Sequence, residues 1–403
     1  MFYRFPAPEA APPTDRGAGM LCAVAAQRRS RRRKGAVTCV SGATGFLGAH
    51  VTRLLVERGD RVRVAYRNAD RLEQLGGLEV DAVRADVRDR EAMRTMLEGA
   101  DVLYHTAGYV GSSPVERVWD MNAVAPRVAV EAAAAAGVRR VVVTSTISAV
   151  GPARGTPADE DNPYPAGGLD MAYPDAKRQG EIEALETGER TGVDVVCVNP
   201  AYVLGVPVNR GQAGETSTRT VGNYLRGRLP AVIDAFMNFV DVEDVAAGHL
   251  LAAEHGRTGQ RYILGGENLG WVELVERLAR FSGRHHALLV LPREIALLAR
   301  ARETLRLPGL MASEGYALMG QDWRYTSAKA ARELGYDARP LDDTLRATIE
   351  WYEALMAAGV FEDEDSSALS AASSLIRGAD RVGLLNALPT VERVTGRRLV
   401  AGR

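Results

Sequence analysis

The chain has 403 residues, 46% of them hydrophobic and 25% charged, and its 50 basic and 51 acidic residues give a formal net charge of −1. These values are ordinary for a globular chain and exclude a wholly disordered or collagen-like protein and a polycation that binds nucleic acid. The three cysteines, Cys22, Cys39 and Cys197, are odd in number and far apart, which argues against a disulfide framework or a zinc site and favours the cytoplasm.

Both ends of the chain differ from its middle. Residues 1–34 carry eight basic residues against two acidic ones and contain four prolines, so they predict a disordered basic leader. Past Gly359, the acidic, Ser- and Ala-rich run Phe361–Ser374 predicts a linker, and residues 359–403 are interpreted as linker and tail. We expect the leader and the tail to be dispensable for folding.

From Ala36 onward, short apolar runs alternate with helical periodicity. Helices are predicted around Ala92–Leu97, through Val128–Ala136 and over Tyr173–Glu189. Strands are predicted at Ala36–Ser41, Val62–Tyr66, Asp101–Thr106, Val141–Ser145 and Val193–Val198. This alternation indicates parallel βαβ units and a sheet covered on both faces. The predicted fold class is therefore α/β, with a doubly wound parallel sheet over residues 35–205.

After Gly205 the alternation becomes less regular, and residues 206–358 predict mainly a smaller C-terminal substrate lobe with elements that return to the sheet. A strand is predicted at Arg261–Leu264. The predicted helices start near Val242 or span Trp271–Phe281, Ala328–Leu334 and Leu341–Met356.

Three glycines, Gly42, Gly45 and Gly48, lie where the first predicted strand turns into a helix. In this position the first permits a tight turn, the second lets a pyrophosphate approach the backbone, and the third lets the helix pack on the strand. The helix N-terminus supplies free N–H groups for the phosphates. The motif predicts a dinucleotide site in a Rossmann fold, with Thr44, Phe46 and Leu47 as the other loop residues; the alternative is a plain tight turn.

The end of the second predicted strand bears on the choice of cofactor. An NAD enzyme usually has an acidic residue about 20 residues after the glycine loop. Here Arg67 lies 19 residues past Gly48, and the strand end Ala65-Tyr66-Arg67-Asn68 contains no acidic residue before Asp70. A guanidinium can pair with a 2′-phosphate through two N–H groups. NADP(H) is therefore favoured, with NAD(H) left as the alternative; a solvated surface arginine is the other interpretation of Arg67.

Tyr173 and Lys177 are four residues apart, so they lie on one face of a helix. A free tyrosine has a pKa of about 10, and we expect the lysine charge to lower it. The Val141–Ser145 strand ends in the hydroxyl run Thr144-Ser145-Thr146. Ligands of doubly wound folds bind at this carboxyl edge of the sheet.

With these motifs the chain resembles the extended short-chain dehydrogenase/reductase superfamily over residues 36–353, and within it the dihydroflavonol 4-reductase-like branch and bacterial hopanoid-associated sugar epimerases. The resemblance implies that Thr146, Tyr173 and Lys177 are catalytic and that Tyr173 and Lys177 also contact the cofactor. It implies further cofactor contacts from Arg67, from Asp86 and Val87 at the adenine, from Thr106, Ala107 and Gly108 along the cofactor, and from Pro200 to Val203 beside the nicotinamide.

Two positions depart from the nucleotide-sugar epimerases. Those enzymes typically carry an Asn where this chain has Tyr202, and often an Arg where Met237 and Asn238 precede Phe239. Both differences argue against a nucleotide-sugar substrate. Four arginines of the same lobe remain as candidate phosphate ligands or as a solvated face: Arg210, Arg219, Arg226 and Arg228.

The sequence therefore predicts an NADP(H)-dependent oxidoreductase that interconverts a carbonyl and a secondary alcohol on a small organic substrate. The alternatives are a nucleotide-sugar epimerase or dehydratase with tightly bound NAD(P), and a non-catalytic NADP(H)-binding regulator. We expect no metal site, no nucleic-acid partner and no membrane span. A homodimer would form through Val128–Ala136 and Tyr173–Glu189.

Overall fold

The computed structural model describes residues 37–165, 167–211, 216–295, 317–361, 368–382, 384–387 and 398–402. The basic leader predicted for residues 1–34 lies outside this part of the chain. None of the described helices is long and apolar enough to cross a membrane.

Seven parallel strands form the main sheet, in the order β10-β6-β5-β4-β1-β2-β3. Their bounds are β1 Val37–Ser41, β2 Arg61–Tyr66, β3 Asp81–Arg84, β4 Ala100–His105, β5 Arg140–Thr144, β6 Asp194–Pro200 and β10 Arg261–Leu264. The chain order reverses between β1 and β4, where Ser41 pairs with His105. Ligands of doubly wound folds bind at such a reversal, beyond the carboxyl ends of the strands. The predicted fold class is confirmed.

Helices cover both faces of this sheet because neighbouring strand residues point to opposite sides. In β5, Val142 packs into one apolar cluster, whereas Val141 and Val143 pack into another. The helices of this part are α1 Phe46–Glu57, α2 Arg90–Met96, α3 Val115–Trp119, α4 Ala125–Ala136, α5 Ala172–Thr191 and α7 Val242–His255. Helix α1 packs against α7, and α4 packs against α2 and α5.

The second lobe contains two small three-stranded sheets, with strand orders β11-β9-β7 and β13-β12-β8. Their strands are β7 Tyr202–Leu204, β8 Ala231–Ile233, β9 Phe236–Asp241, β11 Glu267–Gly270, β12 Leu288–Leu291 and β13 Val400–Ala401. The accompanying helices are α6 Arg219–Leu225, α8 Trp271–Ser282, α9 Ala328–Leu334, α10 Leu341–Ala357 and α11 Ala368–Arg381.

Residues 359–403, interpreted as linker and tail, contain regular structure where the model describes them. Helix α11 begins at Ala368, inside the run predicted as a linker, and Arg377 donates a hydrogen bond to the Gly227 carbonyl oxygen. Strand β13 pairs with β12, and both of its residues are buried. Strand β13 could not be predicted from the sequence because its two residues show no periodicity and its pairing partner is more than 100 residues away.

Candidate active site

Gly42 and Gly48 are required by packing within the protein. Gly42 has a φ of +79°, and a Cβ atom there would lie 2.5 Å from the Ala107 backbone nitrogen. A Cβ atom at Gly48 would lie 2.2 Å from the Gly42 carbonyl oxygen. Side chains would clash at both positions, so the glycines allow the loop after β1, the start of α1 and residues 106–107 to touch.

Gly45 has a more open environment. A Cβ atom there would meet only the Gly42 carbonyl oxygen, at 3.2 Å. Helix α1 begins next to it at Phe46, with no side chain bound to its first N–H groups and no acidic residue in its first turn. Thr44, Gly45, Phe46 and Leu47 are all partly exposed. This open, uncapped helix start fits the pyrophosphate of a dinucleotide.

The loop after β4 lies beside the glycine loop. Thr106 donates hydrogen bonds to the Ser41 carbonyl oxygen from its backbone nitrogen, at 2.9 Å, and from its hydroxyl, at 2.8 Å. Ala107 is buried, and Gly108 is exposed. The structure therefore brings together the residues expected along the cofactor.

Arg67 and Asp86 lie next to each other at the ends of β2 and β3. Arg67 is exposed, and no hydrogen bond or ion pair joins its guanidinium to any residue that the structure describes. The Asp86 carboxylate accepts hydrogen bonds from Arg88 Nε at 3.0 Å and Nη2 at 2.8 Å. The Arg88 guanidinium, helped by the Arg67 charge, lowers the pKa of Asp86 to about 2. Val87 is buried, so its side chain supports this loop.

Tyr173 and Lys177 face the end of β5 from helix α5. The Tyr173 hydroxyl is hydrogen-bonded to the Thr146 side chain. Lys177 is buried, and its Nζ donates to the Thr144 carbonyl oxygen at 3.0 Å. The three residues predicted as catalytic are therefore together at the carboxyl edge of the sheet.

The structure also separates the three hydroxyls of the Thr144-Ser145-Thr146 run. The Thr144 hydroxyl is hydrogen-bonded to His249 Nε2 at 2.9 Å, and Ser145 is buried. Thr146 is partly exposed and reaches Tyr173. Of the three, Thr146 is placed to meet a substrate that also meets Tyr173.

Burial dominates the acid–base properties of this pair. It raises the pKa of Tyr173 to about 12, against the opposing effect of the hydrogen bond with Thr146. It lowers the pKa of Lys177 from 10.5 to about 8, against the opposing effects of Cys197 and Glu181. The sequence predicts that Lys177 brings the pKa of Tyr173 below 10. In this structure the desolvation of the phenol raises that pKa instead, so Tyr173 is protonated at neutral pH.

The segment from Pro200 to Val203 passes from the main sheet into the second lobe. Pro200 ends β6, and Tyr202 and Val203 belong to β7. The Tyr202 ring packs edge-on against Phe239 and Trp271, with centroid distances of 5.4 and 5.2 Å. Its hydroxyl is hydrogen-bonded to the Thr220 hydroxyl at 2.9 Å.

The arginines of the second lobe do not share one environment. The Arg226 guanidinium lies 4.2 Å from the centroid of the Phe361 ring, where it has a packing role. Arg210 and Arg219 are exposed, and Arg228 is half-buried.

Helices α4 and α5 are the elements expected at a dimer surface. Within one chain they contact each other through Arg127 and Glu183, whose charged atoms are 3.6 Å apart. The dimer stays a prediction.

Sequence reasoning missed Asn122. It lies in the π-helical turn Asp120–Val124, and its side chain accepts from the Tyr109 backbone nitrogen at 3.1 Å and donates to the Tyr109 carbonyl oxygen at 2.8 Å. A Cβ atom at Gly180 of α5 would lie 1.9 Å from the Asn122 carbonyl oxygen. A glycine inside a long helix was therefore the signal that could have revealed this close approach.

Comparison with known proteins identifies the family. The profile of the "NAD dependent epimerase/dehydratase family" matches residues 38–265, more than half of the chain. The chain belongs to this family. It is therefore an NAD(P)-dependent oxidoreductase or epimerase of the extended short-chain dehydrogenase/reductase type, as its sequence motifs predicted.

Its relatives match over most of their length. A "Putative dihydroflavonol 4-reductase" of Synechocystis sp. is 32% identical over 327 residues, which cover 78% of this chain and 94% of that protein. "Sterol demethylase protein B" of Methylococcus capsulatus is also 32% identical over 327 residues, covering 78% of this chain and 98% of that protein. The crystal structure of gox2253 has a TM-score of 0.70 and 30% identity, and covers 79% of this chain and 98% of its own.

Proposed function

We propose that this chain is an NADP(H)-dependent oxidoreductase that interconverts a carbonyl group and a secondary alcohol on a small organic substrate. The observation that carries the proposal is the hydrogen bond between Thr146 and Tyr173, one helical turn from Lys177, at the sheet edge that also holds the glycine loop. When bound there, the nicotinamide supplies or accepts the hydride.

In the reducing direction Tyr173 acts as the acid. Its phenol is protonated at neutral pH, so its Oη can give a proton to the carbonyl oxygen as hydride reaches the carbon, and the product is the alcohol. The Thr146 hydroxyl hydrogen-bonds the same oxygen and holds the carbonyl against Tyr173. The Lys177 ammonium stabilises the phenolate that remains until solvent returns a proton.

The contacts of Tyr202 and Asn238 favour a carbonyl substrate over a nucleotide sugar. The Tyr202 hydroxyl is hydrogen-bonded to the Thr220 hydroxyl, and the Tyr202 ring packs against the buried rings of Phe239 and Trp271. Asn238 is buried and its side chain bonds Asn268 Oδ1 at 2.8 Å and the Gly266 backbone nitrogen at 2.8 Å. Neither side chain is available in this arrangement to bind a sugar diphosphate, and the Synechocystis relative is named as a putative reductase.

A substrate screen tests the proposal. The purified full chain is mixed with NADPH and a panel of ketones, aldehydes and nucleotide sugars, and the near-ultraviolet absorbance of the reduced cofactor is followed. We expect the absorbance to fall with a ketone or aldehyde. Inversion of a sugar centre with no net absorbance change would establish the epimerase alternative, and NADPH binding without turnover of any compound would favour the regulator.

A further inference from the structure

A buried chain of hydrogen bonds runs beneath the catalytic residues. Glu181 lies on α5 four residues past Lys177, and only 2% of its surface is exposed. Its carboxylate accepts hydrogen bonds from Asn199 Nδ2 at 2.9 Å and from Arg261 Nη1 at 3.1 Å. Asn199 Nδ2 also donates to the Thr146 carbonyl oxygen, at 3.0 Å. The chain thus links helix α5, strands β6 and β10, and the backbone of a catalytic residue.

Helical spacing explains how this carboxylate comes to lie near the site. Tyr173, Lys177 and Glu181 are each four residues apart, so they form one stripe along α5. A carboxylate this deeply buried is costly unless charged and hydrogen-bonding partners compensate it. Arg261 and Arg178 supply the positive charges, the latter with its Nη1 3.7 Å from Glu181 Oε1.

Groups from several elements lie around Lys177. These groups are His105 of β4, the Thr144 carbonyl of β5, Cys197 of β6, Asn122 of the π-helical turn, and Tyr173 and Glu181 of its own helix. Burial lowers the pKa of His105 to about 3 and raises the pKa of the Cys197 thiol well above 9, so both are uncharged near pH 8. Of the two groups that oppose the desolvation of the Lys177 ammonium, Cys197 and Glu181, only Glu181 is a carboxylate.

We propose that Glu181 is a positioning residue that keeps the Lys177 ammonium charged and, through Asn199, fixes the backbone of Thr146. Its catalytic meaning rests on the proposed function. Its effect on the charge of Lys177 is a property of the protein alone and can be measured without cofactor or substrate.

The chain has only three lysines, Lys34, Lys177 and Lys329, which makes a direct measurement practical. Full-length protein carrying [13Cε]lysine should give three signals by nuclear magnetic resonance, and the signal lost in Lys177→Arg identifies Lys177. In Glu181→Gln we expect the pKa of Lys177 to fall by about one unit, because an opposing charge has been removed. Glu183→Gln removes a half-buried carboxylate from the same helix and should leave that pKa unchanged.

The sign of the shift separates the proposal from a purely structural role. If Glu181 only held the fold together, Glu181→Gln would let water reach Lys177, and its pKa would rise towards 10.5. An unchanged or raised pKa therefore overturns the proposal. Glu181→Asp keeps the charge and should restore most of the wild-type value. If Glu181→Gln does not fold, Glu181→Asn serves instead: it also removes the charge, and the pKa of Lys177 should again fall.

The link to Thr146 has its own measurement. Asn199→Ala removes the hydrogen bond to the Thr146 carbonyl oxygen, so turnover should fall about tenfold with NADPH affinity nearly unchanged, because small misplacements of a reacting group are costly. Equal losses of turnover and NADPH affinity would overturn the positioning role. Absence of any turnover in the wild type would count against the proposed reaction, while the lysine titration would still decide the charge effect.

Discussion

Tyr173 is the residue at which chemistry and cofactor binding should separate. The Tyr173→Phe variant keeps the ring and its packing but loses the proton that the mechanism transfers. Positioned proton transfer contributes about 10²–10⁴-fold in rate, so we expect turnover to fall by that factor while the NADPH dissociation constant changes little. Stopped assays of product and titration of NADPH fluorescence measure the two quantities. A variant that reduces the substrate at the wild-type rate would show that Tyr173 is not the acid.

Arg67 should decide between the two nicotinamide cofactors. A charge-assisted hydrogen bond to phosphate contributes about 1.5–3 kcal/mol, or roughly ten- to a hundredfold in affinity. Arg67→Ala should therefore weaken NADPH by this factor and leave NADH nearly unchanged. Arg61→Ala is the matched control, since Arg61 is also exposed and lies at the other end of β2. Equal losses for both cofactors, or tighter binding of NADH by the wild type, would contradict the assignment.

At the residue scale, the sequence was most informative where spacing alone places side chains. Four-residue spacing puts Tyr173 and Lys177 on one face of a helix, and the structure agrees. The family resemblance indicated that Thr146, and not Thr144, is the catalytic hydroxyl. The structure adds the physical reason: the Thr144 hydroxyl is already hydrogen-bonded to His249. That partner is 105 residues away, and no local pattern predicts it. The same holds for Asn199, whose partners lie on two other elements.

Alanine at two positions of the glycine loop, between β1 and α1, should have different effects on folding and on cofactor binding. A methyl group at Gly48 meets backbone atoms, whereas at Gly45 it meets only one carbonyl oxygen at 3.2 Å. Gly48→Ala should therefore destabilise the fold by about 1–3 kcal/mol. Gly45→Ala should fold with nearly wild-type stability but bind NADPH at least tenfold more weakly, because the methyl group occupies the space for the pyrophosphate.

Urea unfolding and NADPH titration of the two glycine variants test this pair of expectations. The result that would contradict them is a Gly45→Ala protein that binds NADPH as tightly as the wild type. The open space beside Gly45 would then have no part in cofactor binding.

Secondary-structure elements could be predicted where they are long or deeply buried. The strands β1, β4, β5 and β6 are nearly continuous apolar runs, and the structure has them within one or two residues of the predicted bounds. Strand β3 was missed because its four residues, Asp81–Arg84, are mostly exposed and show no alternation of apolar and polar side chains. The π-helical turn before α4 was missed because no local pattern of the sequence marks it; its close contact with Gly180 joins residues that are distant in the chain.

At the scale of the whole molecule, the C-terminal residues close the second lobe. Strand β13 pairs with β12, and β12 pairs with β8, so residues 400–401 complete a sheet that begins near residue 231. The main sheet contains none of these three strands. Damage to β13 should therefore loosen the second lobe first and leave the glycine loop and its cofactor site largely intact.

Two valines of the C-terminal region test this division. Val400 is 8% exposed, and Val382 is 72% exposed. Val400→Asp places a charge in the small sheet and removes a buried apolar side chain worth about 1.5–3 kcal/mol, so the free energy of unfolding should fall by at least that amount. Val382→Asp should change it by less than about 0.5 kcal/mol, as is usual for surface substitutions. Urea unfolding followed by tryptophan fluorescence reports the second lobe through Trp271 and Trp323, both almost fully buried. NADPH affinity at low urea should be the same in both variants. If the Val400→Asp and Val382→Asp variants had equal free energies of unfolding, residues 359–403 would be a dispensable tail.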